Sequence, residues 1–163
     1  MHHAICPTLF HRSCLMPHFT ITLTQGAPMI NLIVMVSAAR RAALLAAHSP
    51  VPASQSIRGL VDTGASNTCI DPSVLQALQL QPTGSVPMHT PTTGGVPVAA
   101  DTYDVAIFIP STPTSVPFHR PNMQVSATEL LSGQGFHALI GRDILSQCVL
   151  NYNGTMQLLT IAY

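Results

Sequence analysis

One tripeptide constrains this chain more than any other feature. Asp62-Thr63-Gly64 follows the apolar pair Leu60-Val61 and precedes two small residues, Ala65 and Ser66. Ile57 to Val61 reads as a strand, so Asp62 is delivered at a strand end. Glycine after Asp-Thr allows a tight turn and a close backbone approach. The threonine hydroxyl can bond neighbouring backbone and fix the turn. A chain that sets an acid in such a turn needs strands around it, and the flanking sequence supplies them.

Phe19 to Thr24 alternates apolar and polar residues, as a half-buried strand does. Gln25-Gly26-Ala27-Pro28 is a turn, and Ile30 to Val36 is a second strand, so the pair reads as a hairpin. Ser37 can cap a helix from Ala38 to Ala47 that Ser49-Pro50-Val51-Pro52 stops. This helix and its loop, at about 37–56, look inserted into a β-rich pattern. Asp71-Pro72 opens a second short helix, Ser73 to Leu78. From Val86 to Pro110 the pattern is β again, with Thr92-Thr93-Gly94-Gly95 as a hairpin tip. Ser111 to Pro121 reads as a proline-rich loop, and Ser126-Ala127-Thr128-Glu129 as the capping box of a short helix ending near Gly133. Ala138-Leu139-Ile140 is a buried strand that stops sharply at Gly141-Arg142-Asp143. Val149 to Tyr152 and Thr155 to Ile161 form a last hairpin about Asn153-Gly154. Residues 1–15 have no period of either kind and are expected to form a tail outside a domain of residues 16–163.

Composition narrows the function classes. The chain has 163 residues, of which 47% are hydrophobic and only 7% charged, with no lysine and Glu129 as the single glutamate. That is enough apolar material for one buried core. A neutral, lysine-free chain has no electrostatic footprint for nucleic acid. The longest apolar region, Met29 to Ala47, carries Arg40 and Arg41, so no membrane span is expected. The four cysteines, Cys6, Cys14, Cys69 and Cys148, form no C-x-x-C pair and are expected to be free thiols, consistent with a reducing, cytoplasmic compartment. His89, His119 and His137 have no ligand spacing, so neither metal nor cofactor is expected. A nearly uncharged surface favours association.

The acid, the strand before it and the later apolar-Gly-Arg-Asp segment carry a family resemblance. Leu60-Val61-Asp62-Thr63-Gly64-Ala65-Ser66 resembles the active-site motif of retropepsin-like aspartic proteases. Leu139-Ile140-Gly141-Arg142-Asp143 resembles the second signature of that family, and Thr92 to Gly95 falls where its flap hairpin lies. The resemblance implies an all-β domain with short helices, a small closed barrel paired by two-fold symmetry. It also implies peptide-bond hydrolysis by water held between two carboxylates sharing one proton, one acting as base and the other as acid. The chain has one Asp-Thr-Gly, and Asp101-Thr102-Tyr103 lacks the glycine, so a second copy must supply the second Asp62.

The resemblance assigns roles residue by residue. Asp62 is the catalytic carboxylate, Thr63 braces the loop across the dimer axis, and Gly64 offers backbone to the substrate. Ala65, Ser66, Thr93, Gly94 and Gly95 contact the bound peptide. Leu139, Ile140, Gly141, Arg142 and Asp143 support the loop from behind. Two departures stand out. Viral members often carry an acid where this chain has Ser66, so Arg142 needs another partner: Asp143, Asp71 of a second copy, or a backbone carbonyl. The insertion at 37–56 is closer to a cellular, bacterial relative than to a compact viral enzyme. The alternative to an endopeptidase is a catalytically silent module that keeps the fold for binding or dimerisation.

Overall fold

The computed structural model describes residues 16–89, 95–111, 116–130 and 132–163. The expected tail, residues 1–15, and the hairpin-tip residues Thr92, Thr93 and Gly94 lie outside them. In chain order the elements are β1 (His18–Thr22), β2 (Met29–Val36), α1 (Ala38–Ala46), β3 (Gln55–Val61), β4 (Cys69–Ile70), α2 (Pro72–Ala77), β5 (Gly84–Met88), β6 (Val98–Ile109), β7 (Phe118–Ala127), β8 (Ala138–Ile140), α3 (Arg142–Leu145), β9 (Val149–Asn153) and β10 (Leu158–Ala162).

Strands β2, β3, β8, β4, β7 and β6 follow one another around a ring, and β6 pairs again with β2 to close it. The closure is antiparallel, from Ile33 opposite Phe108 to Val36 opposite Val105. One joint positions the site. Strands β3 and β8 run parallel, with Gly59 opposite Ala138 and Val61 opposite Ile140. Their carboxyl ends therefore emerge together, and the residues that follow, Asp62 and Gly141, leave the barrel at the same end. β5 extends the ring as an arm on β6, from Gly84 opposite Thr102 to Met88 opposite Val98.

The barrel interior is filled by alternate residues of each strand, as a period of two requires. Ile30, Leu32, Val34 and Val36 of β2 point inward and are buried. Val105, Ile107, Val125, Ala138 and Ile140 meet them from other strands, and Val74, Leu75 and Leu78 add the buried side of α2. Gly59 faces this packing. A Cβ there would lie 2.9 Å from Leu32 Cδ2.

A separate three-stranded sheet, β1-β10-β9, packs on the barrel. Phe19, Leu159 and Ile161 supply its buried face. Tyr163 closes this layer, with its ring edge-on to Phe118 at 5.3 Å and tilted against Phe19 at 6.1 Å. Among the described residues no helix is long and apolar enough to cross a membrane. Cys69 is buried and Cys148 half-buried, and both are free thiols.

Several local expectations are corrected. β1 and β2 are not a hairpin: the turn Thr24–Ala27 sends β1 to β10 and β2 to β3, because each strand finds a better apolar face elsewhere. Phe118 to Pro121 is strand, not loop. Pro121 sits at an irregularity where Val105 opposes Met123 but Ile107 opposes Arg120, and a bulge tolerates the missing N–H. Ser126 caps no helix. It is buried in β7 opposite Cys69, and only a 3-10 turn, Ser132–Gln134, follows. The last hairpin is not a two-residue turn, since Asn153 pairs with Leu158. Asn153 Oδ1 accepts from the Met156 N–H at 2.9 Å, so the asparagine side chain organises a four-residue loop instead.

Candidate active site

β3 delivers Asp62 half-buried, and its N–H donates to the Ile140 carbonyl at 3.0 Å, the last rung of the parallel joint. The chain then turns on the acid itself. Asp62 Oδ1 accepts from the Gly64 N–H at 2.8 Å and from the Ala65 N–H at 3.3 Å. Oδ2 takes no hydrogen bond among the described residues and is left for an incoming donor. Thr63, Gly64 and Ser66 are exposed, so the turn is presented outward.

The second signature holds this loop from behind. Gly141 passes so close that a Cβ would stand 2.5 Å from the Asn67 carbonyl carbon and 2.6 Å from its oxygen. Only glycine fits, and the reason is close approach rather than an unusual φ. Backbone bonds run from Arg142 N to Ala65 O at 3.0 Å and from Asp143 N to Ser66 O at 3.2 Å. The Arg142 guanidinium donates to the carbonyls of Thr63 at 3.0 Å and Gly64 at 3.2 Å, and to Ser66 Oγ at 2.8 Å. Arg142 thus binds the loop through carbonyls and the hydroxyl that replaces the viral acid.

Thr68 is the residue the sequence reading missed. It is fully buried. Its N–H donates to Asp143 Oδ2 and its Oγ1 to Asp143 Oδ1, both at 2.7 Å, while Oγ1 accepts from the Gly141 N–H at 3.2 Å. One hydroxyl ties the segment just after the Asp62 turn to two residues of the second signature. The available signal was slight: Thr68 is the last of three polar residues, Ser66-Asn67-Thr68, leading the apolar pair Cys69-Ile70.

In front of the loop lies a cavity of about 500 Å³. Asp62, Gly64, Ala65 and Ser66 line one side, and Val86, Pro87, Met88 and His89 of the β5 arm face them. Cys69 and Thr128 also line it, and Thr128 Oγ1 donates to Met88 Sδ at 3.3 Å, tying the arm to the barrel. Burial pushes the Cys69 thiol above its ordinary pKa, so it stays a neutral wall element. Of the expected tip residues, Gly95 is described, exposed and at φ +87°, a backbone shape suited to glycine. Leu139 lines the cavity, whereas Ile140 is buried in the core.

Comparison with known proteins agrees with this geometry. A profile of the aspartyl protease family matches residues 53–144. A retropepsin-like aspartic protease from Rickettsia conorii superposes with a TM-score of 0.54 at 17% identity, covering 90% of each chain. No curated protein matches the sequence. With a closed β-barrel, an acid on a glycine turn and a match spanning both signatures, the chain belongs to the aspartyl protease family and has the retropepsin-like fold.

Proposed function

We propose that the protein is an aspartic endopeptidase whose active site forms where two copies bring their Asp62 carboxylates together. The observation that carries this reading is the Asp62 turn. Its Oδ1 is held by two N–H groups, its Oδ2 is unclaimed among the described residues, and it opens on a cavity of about 500 Å³. In a pair, the ionised Asp62 takes a proton from water while the protonated one donates to the scissile carbonyl. Like charges about 3 Å apart resist double ionisation, which leaves the one shared proton that the reaction needs. Thr63 and Gly64, exposed at the tip of the turn, are the residues offered to the partner and the substrate. Thr93, Gly94 and Gly95 at the end of the β5–β6 hairpin would cover the bound peptide.

The test is digestion of a peptide library at acid and neutral pH by wild type and Asp62→Asn. The asparagine keeps shape and most hydrogen bonding but cannot act as base. Cleavage by wild type and none by the mutant, with equal Tm, supports the reading. Wild-type turnover by pure Asp62→Asn overturns it.

A further inference from the structure

A second groove lies on the outer face of β2 and β3, and it shares no lining residue with the catalytic cavity. Its volume is about 510 Å³, and Asn31, Ile33, Ser56, Arg58, Pro110 and His137 are among its walls. Two observations give it chemistry. Arg58, half-buried, has a single side-chain partner among the described residues, Thr24 Oγ1, at a marginal 3.5 Å and with no acid. His137 carries a buried Nδ1 with no hydrogen-bond partner, although its backbone is fixed by bonds to Arg58 O at 2.8 Å and from Asp71 N at 2.9 Å.

The surroundings leave the cation open. Gly135, at φ +82°, has no side chain where a Cβ would lie 3.6 Å from Arg58 Nη1. Asn31 stands directly across from Arg58, and Ser56 lies two pairs further along opposite Ile33, on the same face, so an amide and a hydroxyl flank the guanidinium on exposed positions. An Arg fork suits two oxygens of one carboxylate. The apolar residues Ile33 and Pro110 beside it suit a side chain next to that acid, which a bare small acid does not have.

We propose that this groove is a binding site for an acidic residue of a polypeptide, with its carboxylate on Arg58 and a neighbouring apolar side chain against Ile33 and Pro110. Arg58 lies four residues before Asp62 on the same strand, about 13 Å along it, so an occupant leaves the catalytic cavity free. The proposal does not depend on catalysis.

The test uses the full chain carrying Asp62→Asn, so that nothing is cleaved, and a blocked pentapeptide with one glutamate between leucines. The control replaces the glutamate by glutamine. Binding is followed by calorimetry and by NMR shifts of the Arg58 and His137 signals. The glutamate peptide should bind about tenfold more tightly than the glutamine peptide. Arg58→Gln should erase that preference. So should Ser56→Asp, which places a like charge at an exposed position and carries the test if Arg58→Gln fails to fold. Equal affinity for the two peptides, or a preference that survives Ser56→Asp, overturns the site. Shifts confined to the catalytic cavity overturn it too, and acetate or succinate binding as tightly as the peptide overturns the polypeptide occupant.

Discussion

At the scale of single residues, the Asp62 turn is backed by a side chain that lines no part of the cavity in front of it. Thr68 Oγ1 donates to Asp143 and accepts from the Gly141 N–H, all within a buried pocket. Thr68→Val keeps the volume but leaves the buried Gly141 N–H without its acceptor and Asp143 Oδ1 with the Ile144 N–H as its remaining donor. We expect a loss of about 1–3 kcal/mol in urea unfolding, with Thr68→Ser recovering most of it. A valine variant as stable as wild type would show that the hydroxyl is idle. Gly141→Ala is expected to be worse, at about 3 kcal/mol, because the Cβ meets Asn67 backbone, which cannot rotate away. Arg142→Ala should cost only about 1 kcal/mol, since the side chain is exposed and its bonds compete with water. Its effect belongs in kcat, through a looser loop. Asp62 and the Gly-Arg-Asp segment were legible in the sequence because each residue type has few alternatives in that role. Thr68 was not, since threonine is ordinary in strands and its partner lies 75 residues away.

At the scale of elements, Asp71 shows how much one cap can hold. It accepts from the N–H and Oγ of Ser73 at the start of α2 and from the Leu130 N–H, so helix, β4 and the segment after β7 meet on one carboxylate. Burial alone would push its pKa up. The Ser73 hydroxyl and N–H, the Leu130 N–H and the nearby His137 outweigh burial and hold it below the ordinary 3.8. A carboxylate with a lowered folded pKa contributes stability above its unfolded value and loses it as pH falls through the folded one. The gap in Tm between wild type and Asp71→Asn should therefore be full near neutrality and shrink below about pH 4. A gap that stays constant with pH would place the effect in packing rather than charge. This cap was readable from Asp71-Pro72, as was α1 from Ser37, whose Oγ accepts from the Arg40 N–H at 3.2 Å. Caps are local chemistry. Strand partners are not: β1 and β2 adjoin in sequence yet lie in different sheets, and Ser126 had a helix-start pattern overridden by burial against Cys69. Long-range pairing decided both, and short windows of sequence do not contain it.

At the scale of the whole molecule, the topology changes how a second copy can attach. In the fold, β10 already has β1 on one edge and β9 on the other, so it offers no free edge. Among the described residues, the unpaired edges of that sheet are those of β1 and β9. β9 is linked to the Asp62 segment through the chain: α3, whose Arg142 binds Thr63, precedes β9, and Tyr152 of β9 donates to Gly26 O, two residues from the Pro28 carbonyl that accepts from Val61 N. Strand addition by a second copy along β1 or β9 would need no rearrangement of β10. Removing β10 would not test this, because Leu159 and Ile161 are core residues and their loss would unfold the chain. Charge on the edges would, since a lysine there blocks strand addition. Val149→Lys on β9 and Thr22→Lys on β1 both alter exposed positions, so each should fold. We expect specific activity to fall on dilution, and one of the two lysines to shift that fall to higher protein concentration. A ninefold excess of Asp62→Asn chain should lower activity per wild-type chain about tenfold, by drawing it into mixed pairs with one competent acid. Sedimentation across the same dilution series supplies the independent measure. A species that stays fully active while sedimenting as a monomer would remove the two-copy mechanism, because this chain holds no second Asp-Thr-Gly to complete the site alone.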